Sequence, residues 1–96
     1  MVFKSGTQRI ELAADQILFV QGLKDYSRIQ TDTEKMVVYG NLKAIAGVLP
    51  APRFVRVHKS YLVAVDKIHQ ITKEEIFIGA FRIPIGRTYR RNLTVV

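Results

Sequence analysis

His58 and Ser60 lie two residues apart in the stretch FVRVHKSYLVAVDKI, and a histidine near a hydroxyl is the beginning of a nucleophilic site. Side chains at i and i+2 of a strand point the same way, but no Asp or Glu lies nearby in the sequence to orient the imidazole. Catalysis is therefore disfavoured. We instead expect His58 and Ser60 to hydrogen-bond the turn and hold it in one shape, which leaves Lys59 free to point outward.

Few residues of this chain could hold a metal ion or a cofactor. There is no cysteine, and the only histidines are His58 and His69. A carboxylate pair and a phosphate-binding glycine loop are also missing from the sequence. We therefore predict that the protein is not an enzyme and uses no metal and no cofactor.

The charge of the chain points instead to a polyanionic partner. The net charge is +7, and residues 1–49 hold six basic and five acidic side chains, whereas residues 50–96 hold nine basic and three acidic ones. A field of one sign attracts phosphates and raises the rate of association with them. A solubilising surface charge is the alternative reading, but the charge favours nucleic acid as the partner.

Length and composition favour one intracellular domain. The 96 residues suit a single core, and we place one domain over residues 1–96. No apolar run reaches the roughly 18 residues of a membrane span, and the N-terminus has no signal-peptide pattern. Because the disulfide framework of small secreted domains is missing, we expect a cytoplasmic location.

A second basic cluster falls at a short loop between two predicted strands. Lys24, Tyr26 and Arg28 offer a point charge, an aromatic face and a phosphate-binding fork, although Asp25 weakens the basic field slightly. The alternative is an ordinary hairpin loop in which Tyr26 packs on its neighbours.

A third cluster follows Gly86 near the C-terminus. The glycine allows close approach to a partner, and Arg87 is placed for a bidentate contact with guanine or phosphate. Arg87, Arg90 and Arg91 would share one side of a terminal helical turn. The alternative is a solvated helix whose arginine stems cover apolar surface.

The elements that must position these clusters are mainly β-strands. Alternating or continuous apolar patterns predict strands at 7–12, 15–22, 25–31, 34–40, 53–58, 61–71, 76–78 and 81–85. We expect Gly22 to end the second of these strands. Asn41 is a plausible N-cap for one short helix, which buries Leu42, Ile45 and Leu49. The prediction is therefore a mainly β fold with six to ten short strands and one or two short helices.

Four segments together resemble the LytTR family of bacterial DNA-binding domains. They are DQILFVQGLKDYSRI, MVVYGNLKAIAGVLP, FVRVHKSYLVAVDKI and IPIGRTYRRNL, which cover nearly the whole chain. The first family signature is matched by Phe54, Arg56, His58, Lys59, Ser60, Tyr61, Leu62 and Val63, and the second by Ile83, Pro84, Ile85 and Arg87 with its basic tail. Two positions depart from the pattern: Gly86 stands where Ser is usual, and Ala64 stands where Asn is common.

The resemblance implies an elongated β-β-β sandwich of small layered sheets that binds duplex DNA without a recognition helix. Loops of such domains enter successive major grooves, and Tyr26, Lys59 and Arg87 correspond to the three reading positions. His58 lies beside the second reader. The residues expected to position the domain on the DNA backbone are Lys24, Arg28, Arg90 and Arg91.

The resemblance also implies a place in bacterial signalling. Similar domains are the output half of two-component response regulators, which implies a receiver or other sensory domain in the full-length protein. They bind pairs of direct repeats, so the isolated domain is expected to be a monomer that pairs on DNA.

Two alternatives stay open from the residues alone. A basic β domain with surface aromatics could bind RNA or a ribosome by stacking unpaired bases, although no aromatic-rich RNA-binding strand motif is present. A protein-interaction module with exposed strand edges is the other alternative, and it would leave the basic C-terminal half unexplained.

Overall fold

The computed structural model describes residues 1–93, which form ten strands in three antiparallel sheets and one α-helix. The strands are β1 (Val2–Ser5), β2 (Gln8–Glu11), β3 (Ile17–Leu23), β4 (Tyr26–Thr31), β5 (Lys35–Tyr39), β6 (Phe54–His58), β7 (Tyr61–Ala64), β8 (Gln70–Ile71), β9 (Glu75–Ile78) and β10 (Phe81–Pro84). The helix α1 spans Leu42–Val48, and 3₁₀ segments span Ala14–Gln16, Val65–Lys67 and Arg87–Leu93. The molecule measures 40 × 24 × 21 Å, so the predicted elongated, mainly β architecture is confirmed.

The central layer is a five-stranded sheet in the order β5-β4-β3-β7-β6. On one face it packs against α1 and the β1–β2 hairpin, and on the other against the three-stranded sheet β10-β9-β8. Adjacent residues of β3 enter different cores, since Val20 belongs to the cluster under α1 and Phe19 to the cluster under the outer sheet. This burial on both faces explains the continuous apolar run of β3.

Helix α1 forms where the sequence predicted it. The Asn41 side chain accepts a hydrogen bond from the Ala44 amide at 2.8 Å, and this satisfies one of the free N–H groups of the first turn. Leu42, Ile45 and Leu49 are each less than 10% exposed and pack on the central sheet. A helix of seven residues is marginal alone, so this packing stabilises it.

Gly22 does not end β3, and that prediction was wrong. The strand continues to Leu23, with Gly22 paired to Ser27, and the turn falls at Lys24 and Asp25. Gly22 instead allows α1 to approach, because a Cβ at this position would lie 3.1 Å from the Leu42 Cβ.

The predicted strand over 61–71 is divided between two layers. β7 belongs to the central sheet and β8 to the outer sheet, and the 3₁₀ segment Val65–Lys67 carries the chain from one to the other. Apolar and polar residues alternate in the same way in strands of either sheet, so the sequence pattern did not reveal that the chain passes from one sheet to the other. Strand β1 was not predicted at all. No helix formed by residues 1–93 is long and apolar enough to span a membrane.

We expect Gly22→Ala to lower the free energy of unfolding by about 1–3 kcal/mol, because the new methyl group would push α1 away from the sheet. Urea or thermal unfolding would measure the change. Gly47→Ala is the matched control: Gly47 lies in α1 with nothing within 4 Å of an added Cβ, so the better helix former should raise stability by up to about 1 kcal/mol. Equal effects of the two substitutions would contradict the close-approach role of Gly22.

Candidate nucleic-acid interface

Three turns meet at one end of the central sheet, and each carries an exposed basic side chain: Lys24, Lys59 or Arg87. We call this end the basic end. Antiparallel pairing of β3 with β7 and of β6 with β7 brings the β3–β4 turn beside the β6–β7 turn. The third segment begins beside them at Gly86, whose amide donates to a β6 carbonyl at 2.7 Å. The clusters predicted from separate parts of the sequence therefore share one surface.

Arg56 holds the β6–β7 turn. Its Nε donates to the His58 carbonyl at 2.9 Å, and its Nη2 donates to the Lys59 carbonyl. The Ser60 amide donates to Nδ1 of His58 at 3.1 Å, so the imidazole is an acceptor inside the turn. These bonds agree with the expected rigid turn, in which His58 is scaffold and Lys59 is exposed. Ser60 contributes through its main chain, and the arginine clamp was not anticipated.

The same arginine connects this turn to the terminal 3₁₀ segment. The Arg56 guanidinium lies 5.6 Å from the centre of the Tyr89 ring, and its carbonyl accepts a hydrogen bond from Nδ2 of Asn92 at 2.7 Å. Gly86 fits between these groups, since a Cβ there would lie 3.0 Å from the Tyr89 ring and 3.3 Å from the His58 Cα. This crowding gives a reason for glycine at position 86, where the resemblance led us to expect serine.

The cluster at the first turn is less compact than expected. Lys24 is exposed and occupies the turn itself, with φ at +67°. Tyr26 is 48% exposed, and its ring packs edge-on against the ring of Tyr39 on the neighbouring strand, with the ring centres 5.5 Å apart. This packing agrees with the ordinary-hairpin alternative, whereas the remaining exposure leaves part of the ring open to a partner. Arg28 lies further along β4 and donates to Oε1 of Gln21 at 3.3 Å. Lys24 and Tyr26 therefore lie at the basic end, whereas the Arg28 guanidinium is held on the sheet.

The terminal arginines form the predicted helical turn, although it is a 3₁₀ segment. A 3₁₀ helix repeats every three residues, so Arg87 and Arg90 project from the same side. Together with Lys73 and Glu74 they line a concavity of about 280 Å³. Arg87 and Arg91 are exposed, and the Arg90 guanidinium donates to the Lys73 carbonyl.

The other end of the central sheet has a different charge balance. Arg53 forms an ion pair with Asp15 and a longer one of 3.8 Å with Asp66. The hydrogen bond from Arg53 lowers the pKa of the Asp15 carboxyl, and the same contact raises the pKa of Arg53. These two carboxylates therefore offset a cation at the opposite end of the sheet. At the basic end, Asp25 lies in the β3–β4 turn and Glu74 lines a concavity with Arg87.

We expect Arg56→Lys to lower the free energy of unfolding by about 1–3 kcal/mol, because an ammonium cannot reach two carbonyls and cover a ring at once. Amide hydrogen exchange at Ser60 should become faster in the same variant. Arg53→Lys is the matched control, and its solvent-exposed ion pairs predict no measurable change in either quantity. If both variants keep wild-type exchange at Ser60, Arg56 is not the clamp of this turn.

Comparison with known proteins assigns the chain to a family. A family model of the LytTr DNA-binding domain matches residues 7–95. The "Sensory transduction protein LytT" of Enterococcus faecalis is 26% identical over an alignment of 91 positions, and the match covers 88% of this chain and 38% of the relative. The chain thus spans about two fifths of the length of this curated relative.

A solved structure shares the fold. It is the LytTr DNA-binding domain of a putative methyl-accepting/DNA response regulator from Bacillus cereus, with a TM-score of 0.80 and 17% sequence identity. The match covers 96% of this chain and 90% of that one. Since the family model spans almost the whole sequence, the chain belongs to the LytTr DNA-binding domain family.

Proposed function

We propose that residues 1–96 act as one domain that binds duplex DNA sequence-specifically through the basic end. One observation carries the proposal: main-chain hydrogen bonds fix three separate turns side by side, and each presents an exposed cation. Base readout requires side chains that are held in place relative to one another as well as charge. Family membership supports DNA as the polyanion.

In this proposal the three turns enter successive major grooves on one face of the duplex. Tyr26, Lys59 and Arg87 reach the base edges, and Arg87 is suited to a bidentate contact with guanine. His58 keeps the second turn in shape. The residues that would contact the phosphate backbone are Lys24, Arg28, Arg90 and Arg91.

We further propose that the domain is the output part of a bacterial response regulator and controls transcription in the cytoplasm. The greater length of the curated relative, which is described as a sensory transduction protein, leaves room for a receiver or other sensory domain. The solved neighbour is described as part of a response regulator, which supports the same assignment. The isolated domain would be a monomer that pairs on direct repeats.

Selection of bound duplexes from a random pool tests this function. We expect a recovered motif that repeats about every 10–10.5 base pairs, because neighbouring sites on one face lie one helical turn apart. Single-stranded RNA serves as the competitor in the same mobility-shift assay. If single-stranded RNA displaces the labelled selected duplex from the domain more effectively than the same duplex without label does, the RNA-binding alternative replaces the proposal.

Arg87→Ala should weaken binding to the selected duplex by about 1–3 kcal/mol and change binding to random duplex much less, because a bidentate guanine contact is lost. Fluorescence anisotropy with both duplexes measures this difference. Arg82→Ala removes the same charge from β10, where the guanidinium lies over the Phe77 ring at 5.6 Å, and should affect both duplexes slightly and equally. An equal loss on both duplexes for Arg87→Ala would refute its reading role.

A further inference from the structure

A basic concavity lies between the β3–β4 turn and the β6–β7 turn. Its volume is about 260 Å³, and its polar lining comes from three separate parts of the chain: Lys24, Asn41, Lys43, Arg56, Lys59 and Ser60. Among the described residues that line it there is no Asp or Glu. Four cations thus surround one small space without a protein counter-charge.

The geometry of the fold forces these cations together. Gly22 lets the start of α1 lie against β3, which brings Lys43 to the two turns. The Gly22 amide also donates to the Ser60 carbonyl at 2.8 Å and closes the floor of the concavity. Because like charges repel, bringing these four cations together does not stabilise the folded protein by itself. A bound anion would relieve the repulsion among them.

The four cations differ in what they are free to do. The Arg56 guanidinium is occupied by the carbonyls of His58 and Lys59, so it contributes charge from a fixed position. Lys24, Lys43 and Lys59 are exposed and, within residues 1–93, have neither a hydrogen-bond nor an ion-pair partner on their side chains. Ammonium groups on flexible stems suit a rounded, singly or doubly charged anion.

We propose that this concavity seats one phosphate group of the duplex backbone and that Lys43 is a specific phosphate contact. The inference rests on the proposed function: if these two adjacent turns lie against the grooves of the duplex, the phosphodiester backbone that borders the grooves passes over the space between the turns. Helix α1 thereby contributes a DNA contact that no loop provides.

Lys43→Gln tests the proposed phosphate contact in the concavity, and Lys35→Gln is the matched control. Both lysines are exposed, but Lys35 begins β5 at the opposite end of the central sheet. We expect Lys43→Gln to weaken selected and random duplexes equally, by roughly three- to tenfold, and to lower the slope of log affinity against log salt by about one. Lys43→Arg should retain the wild-type slope. Lys35→Gln should leave the slope almost unchanged.

Duplexes that carry one neutral methylphosphonate at a time would locate the phosphate. Neutralising one phosphate position should reproduce the loss of affinity seen with Lys43→Gln, and the wild-type and Lys43→Gln domains should bind that modified duplex equally. If Lys43→Gln and Lys35→Gln have equal slopes, this inference fails while the proposed function stands. If the wild-type domain binds no duplex, the proposed function itself fails.

A titration with pyrophosphate distinguishes a nucleic-acid phosphate from a free phosphorylated ligand. Amide resonances of Gly22, Lys43 and Ser60 should shift only at high concentrations of pyrophosphate, and the selected duplex should abolish the shift. Saturable binding of pyrophosphate that the duplex does not compete with would assign the concavity to a free anion and overturn the backbone-phosphate inference.

Discussion

Two main-chain hydrogen bonds hold the basic end together, one from the Gly22 amide to Ser60 and one from the Gly86 amide to Val57. Both donors are glycines at positions where a Cβ would press on a neighbour within about 3.3 Å. At Gly22 that neighbour is Leu42, so the glycine lets α1 lie against β3. At Gly86 the neighbours are Tyr89 and His58, so the glycine lets the terminal segment lie against the β6–β7 turn. A single hairpin is marginally stable in water, whereas turns tied to one another keep fixed relative positions, as base readout requires.

Several arginine and lysine side chains of this fold have different roles. Arg28, Arg56 and Arg90 all donate to acceptors of the protein, because a planar guanidinium with five N–H donors can bridge carbonyls and amides. Lys24 and Lys59 extend into solvent instead. The number of basic residues in the sequence therefore overstates the number of cations that are available to a partner. The Arg56 clamp fixes the turn that presents Lys59.

The layered architecture explains why function gathers at an end of the central sheet. Both faces of that sheet are covered, one by α1 and the β1–β2 hairpin and the other by the outer sheet, so the turns are the parts that remain exposed. Exposed acidic residues such as Asp15 and Asp66 pair with Arg53 at the opposite end. The fold thus brings Lys24, Lys59 and Arg87 to one end of the central sheet.

Local chemistry in the sequence determined the elements and the candidate residues: the Asn41 cap and apolar spacing specified α1, alternation specified most strands, and polar clusters at predicted turns identified Lys24, Lys59 and Arg87. These features depend on neighbours within a few residues, so they can be read without the fold. The tertiary structure decided what depends on distant contacts: the crossing from β7 to β8, the true role of Gly22, the clamp by Arg56 and the arrival of Lys43 beside two turns. Such contacts join residues far apart in the chain, and no local pattern encodes which segments will meet.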